Sequence, residues 1–407
     1  MQARQFLALL CLHAGSALAP AYAAVNGLEE VGHSWQADMR GGTEVAVGDT
    51  ALSQVRQPAS VVLHPVLRFD GKISSIFPIN KWNGVIDGDV FTKPALPNFA
   101  VAIVGPLTER SGWGLSVFSK TGWNGKFGNF DSRYLFSSVP QNASASVLNY
   151  GAQLNFGTKV AERLYCGGGP RVELARYGSS TVYGPGKLVL GNQWSVGGGF
   201  NLGILYRLSE RVMLGSGYRS PTWLGPAAKG RFELFDGTSF PARVPASQTV
   251  LPQRVMVGAS WRKSEKLMVA VEGAWVNYRY SLFGHTYVDS LVPLAYPAQL
   301  KNILIGNVGA DYELSRHWGV SAGYAFNTNP VPRSAILPGF TSNSQNNLTC
   351  GLRYRRKNWW AGIAYVIALP NRTSNHSNRV PPLGIDYTRA SVRNIVQSIT
   401  YGVGFQI

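Results

Sequence analysis

From about residue 99 to the C-terminus the chain repeats one pattern, in which ~8 to 11 residues alternate large apolar with small or polar side chains before a turn or a longer polar stretch. In Arg254 to Arg262, Val255, Val257, Ala259 and Trp261 fall on one face, and Arg254, Met256, Gly258, Ser260 and Arg262 on the other. At the end of the chain Ile399, Tyr401, Val403, Phe405 and Ile407 alternate in the same way with Ser398, Thr400, Gly402, Gly404 and Gln406. Similar segments begin near Gly112, Asn149, Gly199, Arg211, Leu267, Ile303, Trp318, Leu348 and Trp359. A period of two is that of a β-strand, whose successive side chains point to opposite faces. A helical span needs about 18 or more apolar residues, and the only long apolar stretch lies within the first 23 positions, so helical spans are excluded.

Strands that alternate can build a soluble sandwich or a membrane barrel. The small face separates the two. Gly319, Ser321, Gly323 and Ala325 oppose Trp318, Val320, Ala322, Tyr324 and Phe326, and aromatic residues cluster near segment ends, at Trp113, Tyr150, Tyr206, Tyr218, Trp261, Trp318 and Trp359. Apolar outside, small or polar inside and aromatic at both rims inverts a soluble core and suits a wall facing lipid. With 45% hydrophobic, 12% aromatic and 14% charged residues, disorder and a long coiled coil are excluded. Connections alternate in length: Leu208 to Arg211 and Leu314 to His317 are short, whereas Ser119 to Ser146, Pro221 to Pro252, Asn327 to Asn347 and Pro370 to Arg393 are long. Short turns belong to the periplasmic side and long loops to the exterior. The length then predicts an all-β, transmembrane antiparallel β-barrel of about 14 strands.

Residues 1 to 23 read as a secretory signal peptide: Arg4 is the positive start, Phe6 to Leu12 the apolar run and Ala21-Tyr22-Ala23 the cleavage site. Residues 24 to 60 do not alternate. They hold Gly27, Gly32, Gly41, Gly42 and Gly48 among polar and small residues, a composition for compact irregular backbone. Such backbone exists at membrane depth only when buried in protein, so this stretch is either a plug inside the barrel or a periplasmic tail, with residues 61 to 407 forming the barrel. Past the signal, Cys166 and Cys350 lie in apparent membrane strands and read as two packing thiols. The net charge of +17 comes from scattered Lys and Arg in an exported chain, which argues against nucleic acid and for anionic sugars or acidic ligands as partners.

Several stretches resemble the FadL-type family of outer-membrane transporters for long-chain fatty acids and other hydrophobic compounds. Gly41 to Asp49 is similar to the family's plug segment, although the Asn-Pro-Ala that usually follows is here Gln57-Pro58-Ala59. Pro97-Asn98-Phe99 followed by Gly112 to Phe118 is similar to its early hairpin. Stronger matches are Gly199 to Arg211 with Gly217 to Ser220, Leu251-Pro252-Gln253 opening a strand, and Gly323-Tyr324-Ala325-Phe326-Asn327-Thr328-Asn329-Pro330-Val331-Pro332. The chain departs from the usual terminal Phe by ending in Ile407. The resemblance implies a fourteen-stranded barrel with a plugged lumen in the bacterial outer membrane, among its lipid and lipopolysaccharide, acting as a monomer without cofactor. It implies passive uptake of long-chain fatty acids, or of aromatic hydrocarbons as the close variant, with a sideways exit into the membrane. It also carries a ligand-contacting role to the new N-terminus, Ala24, Val25 and Asn26, and a plug role to Gly41, Gly42, Gly48 and Pro58.

A carboxylate entering a low-dielectric pocket needs a cation, and Arg254, Arg353 and Arg355 share the small-residue face. The other reading of each is a lumen wall with Arg–Glu networks, for instance through Glu272. Phe127, Phe130, Tyr134, Leu135 and Phe136 in a long loop are either an external capture groove or a loop packed on its neighbours. Asn329, Pro330 and Pro332 shape a mouth loop or serve turn chemistry alone. The six His are scattered without metal spacing, so no metal site is expected. His376-Ser377 is a weak hydrolase signal in a Pro/Asn-rich loop, and an enzyme is not expected. The Gly triplets at Gly167 and Gly197 lie inside strands, where phosphate cradling is not expected. A barrel acting as an adhesin or phage-receptor scaffold is the alternative to transport.

Overall fold

The computed structural model describes residues 28–83, 88–91, 98–130, 141–183, 186–225, 229–245, 247, 249–284, 287–288, 290, 294–295, 299–333, 344–374 and 391–407. Fourteen long strands make the wall. They are β1 Arg68–Asn83, β2 Asn98–Thr108, β3 Ser111–Phe130, β4 Gln141–Ala161, β5 Leu164–Tyr183, β6 Gly186–Arg207 and β7 Val212–Arg219. The second half comprises β8 Arg254–Arg262, β9 Leu267–Val276, β10 Ile303–Glu313, β11 Trp318–Asn327, β12 Asn346–Arg356, β13 Trp359–Ser374 and β14 Ser391–Gln406. Each pairs antiparallel with the next. β14 returns to β1 from Arg68↔Gln406 to Asn83↔Ser391, which closes the sheet and removes its edges.

The alternation sets which face is which. Val255, Val257 and Trp261 are exposed while Arg254, Met256 and Ser260 between them are buried. On β14, Tyr401 and Phe405 face out, whereas Ser398 and Thr400 face in. An apolar exterior this continuous is stable only against hydrocarbon, so the barrel spans a membrane. Tyr206, Trp261, Trp318, Trp359 and Phe405 form an exposed aromatic girdle at the end with short turns, where Trp318 and Tyr354 meet edge to face at 4.9 Å.

Two stretches expected as loops are strand instead. β3 runs on to Phe130 and β4 starts at Gln141, so most of 119–146 is wall. Gly122, Gly125 and Gly128 break the apolar alternation there, which hid the strand from pattern reading. Within 221–252 the hairpin Lys229–Leu234 with Ser239–Arg243 pairs onto Gly186 to Leu190 of β6 and continues the sheet outward.

The polar interior is filled from the N-terminal side. Residues 28 to 64 lie inside the lumen as one short helix, α1 (Trp35–Met39), and two 3-10 turns, Ala51–Val55 and Pro58–Leu63. Ser34 caps α1 by accepting from Ala37 N–H, and Thr50 with Ser53 forms a capping box. The wall makes room by omitting side chains. Trp35 sits on Gly362 and Gly402, Met39 on Gly351, and the Arg40–Gly41 backbone on Gly309 and Gly323. Gly41 has φ +66°, and a Cβ there would meet Tyr324 N and Val308 O at 2.7 Å, so both conformation and space demand glycine. Gln57 Nε2 donates to Val45 O, Ile204 O and Ser216 O, each at 3.1 Å, and so ties the segment to β6 and β7.

Candidate functional site

Beyond the luminal segment, toward the long loops, the inner wall turns apolar. Ala145 and Val147 of β4, Ala175 and Tyr177 of β5, and Leu188 and Leu190 of β6 project inward. They join Leu224, Val244, Leu251, Leu282, Phe283, Val288 and Leu300 from the connections in one buried apolar cluster. β3 to β6, of 20 to 22 residues each, outrun the other strands and bound this cluster, the apolar upper compartment of the lumen.

The floor of that compartment is charged. Lys120 Nζ donates to both oxygens of Glu173 at 2.8 and 2.9 Å, and Asn149 donates to the same carboxylate at 2.8 Å. Arg171 Nε lies 2.7 Å from Glu173 Oε1, while its Nη2 donates to Ser220 O at 2.9 Å and Thr222 Oγ1 at 2.8 Å. Glu29, from the luminal segment, is bridged by Arg219 and by Arg254 Nη1, the latter at 2.9 Å. Burial alone would raise the Glu29 pKa, but the Arg219, Arg254 and Lys120 cations together hold it well below the usual carboxylate range. The cluster therefore sets four buried cations against two carboxylates. Nε and Nη2 of Arg254 have no hydrogen-bond partner among the described residues. A narrow cleft lined by Leu28, Glu29, Lys120, Val147, Asn149, Leu251 and Tyr278 joins this floor to the apolar cluster.

Deeper in the lumen the ratio inverts. Lys72 lies between Glu30 and Asp38, Arg56 between Glu44 and Glu272, and Arg40 between Asp49 and Asp311. Each of these three cations has two carboxylates, so their stretch of the lumen carries no cation excess of the kind found at the floor. His33 is buried edge-on to Phe118 at 5.4 Å, and burial, with Arg56 nearby, holds its pKa far down, keeping the ring neutral.

The wall beside this floor is irregular. The β1–β2 ladder runs from Arg68↔Val104 to Ser74↔Asn98 and the β2–β3 ladder ends at Ala100↔Phe118, and the short strand Gly88–Phe91 resumes the pairing further out, with β1 at Asn80↔Val90 and with β3 at Val90↔Phe127. The β3–β4 register shifts between Ser119 and Thr121, and three successive residues, Phe118, Ser119 and Lys120, are buried. A bulge of this kind re-aims a side chain, here the Lys120 ammonium, into the lumen.

Of the residues expected from sequence, Arg254 is on this floor. Arg353 and Arg355 share its inward register but stand at the short-turn end, where Arg353 pairs with Glu313 and Arg355 is exposed; the structure does not bring them to Arg254. Glu272 bonds Arg56 and the Glu44 and Val45 N–H groups rather than Arg254. Gly41, Gly42, Gly48 and Pro58 lie in the luminal segment. Asn329 accepts from Val331 N–H at 2.9 Å, Pro330 O accepts from Lys301 N–H at 2.7 Å, and Pro330 and Pro332 are buried. Phe127 and Phe130 are residues of β3. Tyr134, Leu135, Phe136, Ala24, Val25, Asn26, His376 and Ser377 lie outside the described residues. Cys166 and Cys350 are unbonded thiols. Pattern reading missed Glu29, Lys120, Arg171, Glu173 and Arg219. Arg171, Glu173 and Arg219 stand in inward register on their strands and were findable; Glu29 and Lys120 were not, one lying in irregular backbone and the other on a bulge.

Residues 81–368 match the family model described as outer membrane protein transport protein (OMPP1/FadL/TodX). Among solved structures, the toluene transporter TodX of Pseudomonas putida superposes with a TM-score of 0.73 at 16% identity, covering 94% of this chain and 99% of that one. The toluene transporter TbuX of Ralstonia pickettii gives 0.71 at 16% identity, over 92% and 99% of the two chains. A Pseudomonas aeruginosa FadL homologue gives 0.73 at 14% identity, over 93% and 99%. At these identities the likeness is one of fold. No curated protein sequence matches the chain. The closed fourteen-stranded barrel and a family match over most of its length lead to one conclusion: the chain belongs to the OMPP1/FadL/TodX family of outer-membrane transport proteins for hydrophobic compounds.

Proposed function

We propose that this barrel takes up hydrophobic compounds that carry an acidic head, long-chain fatty acids first among them. The observation that carries the reading is the floor of the apolar compartment, where four buried cations face two carboxylates. Burying a charge without a partner costs several kcal/mol, and the carboxylate of an incoming amphipath offsets that cost while its chain stays among apolar side chains. The luminal segment serves as the plug that closes the straight path. A sideways exit into the membrane then spares the chain a passage through water.

The second reading, uptake of uncharged aromatic hydrocarbons, is favoured by the fold neighbours TodX and TbuX, both described as toluene transporters. Arg254→Met separates the two. Uptake of a radiolabelled long-chain fatty acid by cells expressing the variant should fall about tenfold, the worth of one buried charge-assisted contact, with toluene uptake unchanged. Equal loss of both, or of neither, would sink the carboxylate reading.

A further inference from the structure

The periplasmic mouth carries a second concentration of charge that transport of a hydrophobe does not use. A cavity of about 1470 Å³ opens there between the short turns and the underside of the luminal segment. Arg262, Lys266 and Arg316 line it from the turns of β8 to β11, and Arg353, Arg355, Arg356 and Lys357 from β12 and its turn. Against these seven cations the same turns offer Glu265 and Glu313, and Glu313 is taken by Arg353, while the adjoining β6–β7 turn adds Arg207 and Arg211 with Glu210. Asp49 and Asp311, which also line the cavity, are both committed to Arg40. The opposite turns are balanced, as Glu109 beside Arg110 and Glu162 beside Arg163, and do not line the cavity. The excess is therefore one-sided.

We propose that this mouth is a docking site for an acidic segment of a periplasmic protein. Phospholipid headgroups surround the outside of a barrel, whereas these cations line a cavity on its axis. They are spread across the mouth rather than converging on a point, which suits a run of carboxylates more than a single small anion. Arg316, Arg355, Arg356 and Lys357 are exposed, so they meet a partner without unfolding anything. One-sided charge of one sign steers and orients an encounter with a surface of the other.

The test uses the full protein in nanodiscs of neutral phosphatidylcholine and a fluorescent oligoglutamate peptide, followed by anisotropy. Saturable binding is expected at about 50 mM salt and should weaken steeply by about 300 mM. The triple variant Arg355→Gln/Arg356→Gln/Lys357→Gln should bind about tenfold more weakly, three modest ion-pair contributions summed. Arg110→Gln/Arg163→Gln on the balanced side should stay within about twofold of the parent. No saturable binding, or equal loss from the two variants, would overturn the proposal. So would a triple variant that loses selective retention of anionic phosphatidylglycerol while holding the peptide unchanged, since the mouth would then be a lipid site.

Discussion

Replacing Gly167 by valine asks whether bare backbone on the barrel wall is what seats the luminal segment. Gly167 is on β5 beneath the turn Pro58–Leu63, and a Cβ there would lie 2.6 Å from Ala59 N and 2.7 Å from Ala59 Cα and Pro58 C. All three are backbone atoms, which cannot swing aside. Contact distances of roughly 3.5 Å or more require the turn to move by about 1 Å. Gln57 precedes it, and its two hydrogen bonds of 3.1 Å to the wall, to the Ile204 and Ser216 carbonyls, would stretch toward 4 Å and cease to be bonds. At about 1 kcal/mol for each, with a further 1–3 kcal/mol for a buried donor left unmet, docking weakens by about 3–5 kcal/mol. That shifts the docking equilibrium by about two orders of magnitude or more. Single-channel recording in planar bilayers reads the effect as a rise in ion conductance over the parent, and protease access to residues 28–64 reads it directly. Gly198→Val and Gly306→Ala are matched controls, because nothing lies within 4 Å of a Cβ at either position. If Gly167→Val stays as closed and as protected as these controls, the seat is not steric and the reasoning fails.

Two other perturbations bear on the interior. Glu29→Gln frees Arg219 and Arg254 of their shared carboxylate; affinity for a fatty acid should rise about tenfold by equilibrium binding, whereas unchanged affinity would mean that the pair does not read the ligand's head. Burial pushes the His64 pKa down to about 3, from about 6.5 when the segment is undocked and solvated. The undocked state therefore binds the proton first, so this contribution is fully present above about pH 6.5 and is lost as pH falls toward 3. The expected slope is about 1.4 kcal/mol per pH unit. Protease access to the segment should rise between about pH 7 and 5 in the parent and rise less in His64→Gln; equal slopes would contradict the assignment.

The barrel was legible because its signal recurs in most of the strands, though not in β1 or β5. Trp261 and Arg254 cannot exchange faces without turning the whole strand over, so the register read from Arg254 to Arg262 had one solution, and β8 has it. The tall wall was not legible, since Gly122, Gly125 and Gly128 remove the apolar beats on which the reading of β3 depends. At the site, a strand pattern says that Arg254, Arg353 and Arg355 all point inward, but it is silent on depth, and depth separates the apolar compartment from the periplasmic mouth. Glu29 and Lys120 were hidden for a different reason: both owe their direction to tertiary contact, one through the docking of irregular backbone and one through a bulge. Gly167, read as lying inside a strand, and Gly323, read as part of a small-residue face, are seats for the luminal backbone, a role that appears only once two distant segments meet.

The central claim is that an apolar compartment ends on a floor that reads a carboxylate. Equilibrium binding of a fluorescent long-chain fatty acid to the refolded, detergent-solubilised protein tests it, with the chain-matched hydrocarbon lacking the carboxylate as competitor. Saturable binding that unlabelled fatty acid displaces and the hydrocarbon displaces at least about tenfold more weakly is the predicted result. Equal displacement by the two, or no saturable binding, would contradict it.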